Sequence, residues 1–204
     1  AETSLLDLYE AQVIAFYDPK TATYYSVEER PAGMPDVPAL DAGVAIHELT
    51  HALQDQAFGA GRAVEAMRDD MDGQLAYHAV IEGEAMLVMV AAMAETGGMS
   101  LDALVASEDL ASLLTSSAAG NAGVPDSVPP FFVESAKFPY FAGMQFVIEA
   151  YRRGGWDAVN NLHLNRPKST EQIMHPELYF DVTATRGIPD EPHVTVAAAK
   201  RLFD

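Results

Sequence analysis

The chain has 204 residues, of which 49% are apolar and 21% are charged, a composition typical of a globular protein with one well-buried core. Its 30 acidic and 12 basic side chains give a formal charge of −18, which disfavours binding to nucleic acids and to anionic membrane surfaces. The sequence contains no cysteine, so disulfides, thiol catalysis and thiolate metal sites are excluded, and any metal must be bound by His, Asp or Glu.

The N-terminal part of the chain carries the patterns that indicate β-structure. Residues 3–10 are predicted to form a short helix. The segment 13–27, VIAFYDPKTATYYSV, has two β-rich runs around the turn sequence DPKT, which predicts a β-hairpin. Three prolines within 29–40 predict a loop after it.

Helical patterns dominate the rest of the sequence. A helix is predicted from Leu40 to about Phe58, with Asp41 as the candidate N-cap and two glycines soon after its end. The longest apolar run, at 85–94, is shorter than a bilayer crossing requires, so it is interpreted as part of a buried helix and no transmembrane segment is expected. Further helices are predicted at about 70–95, 100–117, 134–153 and 156–163, with a Gly/Pro-rich loop at 118–132 and a break at Gly154-Gly155.

A last short helix is predicted near the C-terminal end. The sequence STEQ at 169–172 has the spacing of a capping box, and Pro176 ends the helix and leaves His175 at its C-terminus. The elements together predict a single domain, residues 1–204, of the α+β class, mainly helical, with one small antiparallel sheet.

The helix at 40–58 contains the sequence IHELTHALQDQ. Residues four apart lie on one face of a helix, so His47 and His51 can both bind one Zn²⁺ at about 2.0–2.1 Å. Glu48 is rotated about 100° from His47 and can instead accept a proton from a water on the open side of the metal. The alternative is a helix whose histidines are satisfied by neighbouring carboxylates, with Glu48 solvated. The five-residue pattern His-Glu-x-x-His would occur by chance in roughly one chain in a hundred of this length. This rarity favours the metal site.

A catalytic zinc has three protein ligands and one open position, so one more ligand is required. The candidates are His78, Glu82 and Glu84, all within the helix at 70–95. Glu82 and Glu84 are about 200° apart around a helix and cannot both face one metal, whereas His78 and Glu82 share a face. Glu82 also lies on an apolar stripe, where an unpaired carboxylate is costly. That helix is apolar nearly all round, however, so the same reasoning leaves Glu84 open.

Two segments resemble those of known zinc peptidases. HELTHALQDQ resembles the zinc helix of thermolysin-like peptidases, and IEGEA resembles the Glu-Gly-x-Ala segment by which many gluzincins supply a glutamate ligand. The resemblance implies that Glu82, before the glycine, is the third ligand and that Glu84 is a supporting or surface group. The spacing from His51 to Glu82 is longer than in the aminopeptidase N-like enzymes, and a thermolysin-sized second domain is lacking. The chain therefore resembles the compact minigluzincins more than it resembles either of these two groups.

The resemblance extends to a group of bacterial metallopeptidase-like proteins with the same zinc helix, over about residues 10–182. It implies a zincin-like core in which a small antiparallel sheet or hairpin packs on the histidine-bearing and glutamate-bearing helices. It also favours an exported bacterial protein (periplasmic, lipoprotein-anchored or secreted) over a cytoplasmic one. The further segments that carry it are FYDPKTATYYSV, FPYFAGMQFV, YRRGGWDAVN and RPKSTEQIMHPELYF.

Peptide hydrolysis develops an oxyanion, which zincins usually stabilise with a Tyr or His donor. His175 and Tyr179 lie on the rigid, Pro-containing turn near the C-terminal end, and Tyr140 is another candidate; His175 is preferred. Asp55 is four residues after His51 and is a candidate acceptor for the second N–H of that ring. Asp72 is either an anion at a helix N-terminus or an acceptor for His47. Each of these residues alternatively only packs or faces solvent.

The sequence thus predicts a zinc-dependent peptidase with one Zn²⁺ per chain, acting on a peptide or protein substrate. His47, His51 and Glu82 bind the metal, Glu48 is the general base, and an edge of the hairpin pairs with an extended peptide. The alternative is a catalytically weak or inactive binding or regulatory module that keeps the metal site. The presence of Glu48 favours the enzyme, since loss of the base is the simplest route to an inactive site. A structural zinc is disfavoured because it requires four protein ligands, usually including Cys.

Overall fold

A computed structural model describes residues 15–27, 38–107, 110 and 128–181 of the chain. These residues form seven helices and one two-stranded antiparallel sheet, which confirms the prediction of a mainly helical α+β chain. The elements are β1 (Ala15–Asp18), β2 (Thr23–Ser26), α1 (Pro38–Phe58), α2 (Ala60–Ala66), α3 (Met71–Thr96), α4 (Leu101–Ala106), α5 (Pro130–Leu164), α6 (Thr170–Met174) and α7 (Glu177–Phe180).

The predicted hairpin is confirmed over residues 15–26. Phe16 pairs with Tyr25, and their rings stack with centroids 5.0 Å apart. The Asp18 carboxylate stabilises the turn by accepting hydrogen bonds from the backbone N–H of Lys20, at 2.9 Å, and from the hydroxyl of Thr21, at 2.8 Å. An Asp at this position stabilises a turn by accepting a hydrogen bond from the backbone two residues further on.

Helix α1 begins at Pro38, earlier than predicted, so Asp41 lies in its first turn rather than at its N-cap. Proline suits a first helical position because its fixed φ is already helical and its missing N–H would have no partner there. The helix ends at Phe58, as predicted, and Gly59 follows in the left-handed conformation with φ of 64°. Such a glycine stops a helix without strain.

Helix α3 is the central element of the fold and packs against both α1 and α5. Asp70 caps it by accepting a hydrogen bond from Gly73 N at 3.0 Å. By length and hydropathy alone α3 is long enough to cross a membrane, but 61% of its most apolar window is buried within the protein. Its largest fully buried side chains, Tyr77 and Leu87, contribute to the core together with Met144 and Phe146 of α5.

Helices α3 and α5 approach each other closely at two glycines. A Cβ atom added to Gly83 would lie 2.2 Å from the carbonyl carbon of Gly143, and one added to Gly143 would lie 2.0 Å from the carbonyl oxygen of Ala79. No real Cβ makes such contacts with backbone, so only glycine permits this approach. The crossing therefore fixes the backbone next to Glu82.

Helix α5 joins the two helices predicted at 134–153 and 156–163 and begins at Pro130, inside the predicted loop. The predicted break is confirmed, since Gly154 and Gly155 both depart from helical dihedral angles. The φ of Gly155 is 62°, a value that side chains disfavour. The predicted helix at 3–10 and most of the predicted loops at 29–40 and 118–132 lie outside the described residues, as do residues 108–109 and 111–117 of the predicted helix at 100–117.

The short helix α6 is confirmed, but its predicted capping box is wrong. Ser169 occupies the N-cap position without a side-chain cap, and its hydroxyl is buried with no hydrogen-bond partner. The Gln172 side chain instead accepts a hydrogen bond from Lys168 N at 2.7 Å. The carboxylate of Asp72, in the first turn of α3, caps α6 instead by accepting a hydrogen bond from Thr170 N–H at 3.1 Å. A charged acceptor binds the free N–H groups of a helix start more strongly than a hydroxyl does.

Candidate metal centre

His47 and His51 project from consecutive turns of α1, as their spacing predicts. Their Nε2 atoms lie 3.1 Å apart, and the two rings are perpendicular, with centroids 4.6 Å apart. His47 is buried and His51 is largely so. Both rings therefore direct the same nitrogen toward one point.

Glu82 reaches that point from α3. Its Oε2 atom lies 3.1 Å from His47 Nε2 and 3.4 Å from His51 Nε2. The three atoms form a nearly equilateral triangle. Ligands about 2.0–2.1 Å from a tetrahedral metal are roughly 3.3 Å from one another, so these side chains fit a bound metal ion. Among the described residues they are the one His/Cys/Asp/Glu group with this potential.

The other two candidate ligands on α3 have different positions. His78 Nε2 lies 3.2 Å from the second carboxylate oxygen of Glu82, and about half of the His78 side chain is exposed. Glu84 is buried on another side of α3, where its Oε2 lies 2.7 Å from His163 Nε2. Glu82 and Glu84 thus face different partners, as the helical geometry requires.

The charges of the group depend on one another. Burial favours the neutral acid of Glu82, but hydrogen bonds from His47, His51 and His78 outweigh burial and hold the pKa of Glu82 well below its ordinary 4.5. Burial likewise opposes a charged His51, but its hydrogen bond to Glu82 and the charge of Glu82 raise the pKa of His51 above the ordinary 6.5.

These shifts predict how the stability of the metal-free protein depends on pH. The depressed pKa of Glu82 contributes stability above about pH 4.5, which is lost as pH falls through the folded-state value. The raised pKa of His51 contributes stability below about pH 6.5, which is lost as pH rises through its folded-state value. We expect the contribution of this pair to the free energy of unfolding, measured with urea and a chelator, to be largest between these values. Glu82→Gln should remove that maximum; an unchanged pH profile would contradict the coupling.

Gln54, not Asp55, supports the His51 ring. Gln54 Oε1 lies 2.9 Å from His51 Nδ1, whereas Asp55 accepts a hydrogen bond from Gly61 N at 3.1 Å and lies 3.5 Å from the Tyr17 hydroxyl. The prediction for Asp55 is therefore wrong. The longer side chain three residues after His51 reaches the ring, while Asp55 binds the start of α2 and the hairpin.

The alternative prediction that Asp72 supports His47 is also wrong. Its carboxylate binds the backbone N–H and the hydroxyl of Thr170, at 3.1 and 2.6 Å. Asp72 therefore provides the cap that α6 does not obtain from its own serine. It links the first turn of α3 to α6, and its contacts are with Thr170 rather than with the metal group.

Glu48 is half-buried on α1 and faces the hairpin. Its Oε2 atom accepts a hydrogen bond from the backbone N–H of Tyr17 in β1, at 2.8 Å. Its charge acts on His51, which places the carboxylate near the metal group. One carboxylate oxygen is thus fixed by the sheet.

Of the three candidate oxyanion donors, Tyr140 is the one beside the metal group. Its ring stacks on that of His47, with centroids 6.2 Å apart. His175 is exposed, and its ion-pair contact is with Glu177 at 3.6 Å. Tyr179 donates a hydrogen bond to the carbonyl of Asn165 and packs on Phe146. The structure therefore does not bring His175 or Tyr179 into contact with the three candidate ligands.

A cavity of about 300 Å³ opens beside the metal group. His51, His78 and Glu82 border it on one side. Its wall combines apolar and charged side chains from the hairpin and from α1, α2 and α3, among them Pro19, Lys20, Asp55, Val64, Glu65 and Ile81. The volume is sufficient for one amino-acid side chain next to the triangle of ligand atoms.

Comparisons with protein-family models, curated proteins and solved structures find no match to this chain. Any functional assignment therefore rests on the side-chain geometry. That geometry is a buried His-His-Glu group able to hold a metal ion, next to a carboxylate fixed by a strand and a cavity that reaches the ligands.

Proposed function

We propose that the chain is a zinc-dependent peptidase of the gluzincin type. The observation that supports this most directly is the convergence of His47 Nε2, His51 Nε2 and Glu82 Oε2 at mutual distances of 3.1 to 3.4 Å. Two imidazoles and one carboxylate form a typical ligand set for a catalytic zinc, and they leave one coordination position for water or substrate. A bound zinc supplies Lewis acidity there, since it lowers the pKa of a water and polarises a carbonyl.

Glu48 acts as the general base in this proposal. Tyr17 N–H binds one carboxylate oxygen, at 2.8 Å, and leaves the other to accept a proton from the attacking water. The proton then passes from Glu48 to the leaving amine. A positioned base of this kind contributes about 10²- to 10⁴-fold to the rate.

Tyr140 is the proposed donor to the oxyanion. Its position against the ring of His47 supports this role, and its partial exposure allows contact with substrate. A hydroxyl there would hydrogen-bond the carbonyl oxygen as negative charge develops on it. His175 and Tyr179 have no role in this proposal, because their contacts lie with other residues.

The proposed substrate is an extended peptide. Strand β1 packs next to Glu48, so a peptide paired with an edge of the hairpin would bring its scissile bond close to the metal group. The cavity of about 300 Å³ next to His51 and Glu82 would accept one of its side chains.

Metal binding and hydrolysis are tested on the same full-length preparation. Zinc affinity is measured by chelator competition for the wild type, for Glu82→Gln and for the control Glu95→Gln, an exposed residue on the same helix. We expect one zinc per wild-type and Glu95→Gln chain. Glu82→Gln should lose more than about 100-fold in affinity, since even loss of a group that supports a ligand costs 10–100-fold.

Hydrolysis is then followed by mass spectrometry with a broad peptide library, with zinc and with chelator. Zinc-dependent cleavage by the wild type supports the proposal. A wild type that binds no zinc, or a Glu82→Gln variant that binds it normally, contradicts the metal site. Zinc binding without any cleavage contradicts the peptidase and favours a binding module that retains the metal.

A further inference from the structure

A chain of buried polar side chains leads from the back of the metal group into the core. Its members are His51, Gln54, Glu84, His163 and Tyr77. The last four are at most 7% exposed, and His163 and Tyr77 are almost completely enclosed. They come from α1, α3 and α5, so the chain of contacts joins the three main helices.

The contacts are continuous. Gln54 Oε1 lies 2.9 Å from His51 Nδ1, and Gln54 Nε2 donates to Glu84 Oε2 at 2.6 Å and to the carbonyl of Ile81 at 3.0 Å. Glu84 Oε2 lies 2.7 Å from His163 Nε2, and His163 Nδ1 lies 3.1 Å from the Tyr77 hydroxyl. Every polar member therefore has a partner.

This arrangement determines which way the Gln54 amide faces. Two acceptors, the Ile81 carbonyl and the Glu84 carboxylate, surround its nitrogen. A reversed amide would place its oxygen against both of these acceptors, so the buried amide oxygen would face oxygen atoms and lose its hydrogen bond, which costs about 1–3 kcal/mol. The oxygen therefore faces His51, so the Nδ1 atom of that ring must carry the proton. In the neutral ring the Nε2 atom then has a lone pair, which is directed at the metal group.

Stability alone does not explain the inner part of this series of hydrogen-bonded side chains. Glu84 and His163 are buried side by side, and the ring of Phe58 stacks on His163 at 4.4 Å. Apolar residues of the same size would fill this space without the cost of removing ionisable groups from water. A carboxylate at this place has a specific effect, because it orients the donor end of Gln54.

We propose that Gln54 and Glu84 are positioning residues that hold His51 as an Nε2 ligand, with His163 fixing Glu84 in turn. The inference rests on the proposed metal site and adds to it the group that selects the tautomer of one ligand. Groups that fix a ligand histidine in this way typically contribute 10- to 100-fold to metal affinity.

The test compares three substitutions in the full chain. Gln54→Met keeps the length of the side chain but accepts no hydrogen bond from His51, and Glu84→Met leaves the Gln54 amide without its charged acceptor. Gln54→Glu restores an acceptor for His51 while placing a second carboxylate against Glu84. The matched control is Gln172→Met, which removes another buried glutamine that contacts Lys168 and not the metal group.

Two measurements are made on each variant: zinc affinity by chelator competition, and the ¹⁵N shifts of the His51 ring in the zinc-free protein at a pH high enough for that ring to be neutral. We expect Gln54→Met to lose about 10- to 100-fold in zinc affinity and to shift His51 from the Nδ1–H form toward a tautomer mixture. Glu84→Met should show a smaller loss in the same direction. Gln54→Glu should keep the Nδ1–H form and stay within a few-fold of wild-type affinity, although it is less stable to urea.

The results separate this inference from the proposed function. A wild type without zinc binding contradicts the proposed function itself. If the wild type binds zinc, and Gln54→Met has the same zinc affinity and an unchanged His51 tautomer, the positioning role alone is contradicted. An equal loss of zinc affinity in Gln172→Met would also overturn it, because the effect would then follow general destabilisation.

Discussion

Replacing Glu48 with glutamine is expected to reduce zinc-dependent peptide hydrolysis by about 10²- to 10⁴-fold, the usual contribution of a general base. Glutamine has the same shape and keeps an oxygen that accepts the hydrogen bond from Tyr17 N–H, at 2.8 Å in the wild type. It accepts no proton, however. The fold and the three candidate ligands should therefore remain while catalysis is lost.

The measurement is kcat/KM for a cleaved library peptide, together with zinc content and urea unfolding. Zinc content should stay at one per chain, and unfolding should shift little. Glu95→Gln is the matched control, because it makes the same chemical change at an exposed position of α3. Full activity in Glu48→Gln would exclude this carboxylate as the base and would require another proton acceptor near the cavity.

Replacing Gly83 with alanine is expected to destabilise the protein strongly and to weaken zinc binding in the same variant. The new methyl group would lie 2.2 Å from the Gly143 carbonyl carbon and 2.4 Å from its oxygen. Overpacking in a core costs about 1–3 kcal/mol when side chains can shift, and here the backbone of α5 must shift instead. Because Glu82 is the adjacent residue, the displacement also moves a candidate ligand.

Gly43→Ala is the matched control for this crossing. Gly43 is also buried on a helix, but an added methyl group would meet the flexible side chains of Met89 and Met93 at about 3.4 Å. We expect this variant to be as stable as the wild type or slightly more so, since alanine favours helix by about 0.5–1 kcal/mol over glycine. The free energy of unfolding in urea and the zinc affinity are measured for both variants. Equal stability of Gly83→Ala and Gly43→Ala would contradict the close approach of α3 and α5.

The part of the site that the sequence predicts is the part that depends on local geometry. Spacing along one helix is sufficient to place His47 and His51 side by side, and helical rotation is sufficient to separate Glu82 from Glu84. The choice of Glu82 needed a resemblance to other peptidases, because spacing alone does not orient α3 relative to α1. The hairpin and the break at Gly154-Gly155 were likewise predicted from local preferences.

The contacts that the sequence did not predict join residues far apart in the chain. His163 meets Glu84 across 79 residues and Tyr77 across 86, and no local pattern encodes either pairing. Gln54 was accessible to prediction, since it lies three residues after His51 on the same helical face. Asp55 lies four residues after His51, which is the reason for its prediction as the acceptor, but it contacts the hairpin and the start of α2 instead.

The hydrogen bond between the Tyr17 amide and Glu48 has a consequence for how this chain tolerates sequence change. The donor belongs to the main chain, so every residue type except proline supplies it at position 17. Evolutionary drift of hairpin side chains therefore leaves this anchor intact. Displacement of the whole strand would break it. A ligand that moved β1 away from α1 would release the Glu48 carboxylate, whatever amino acids the strand contains.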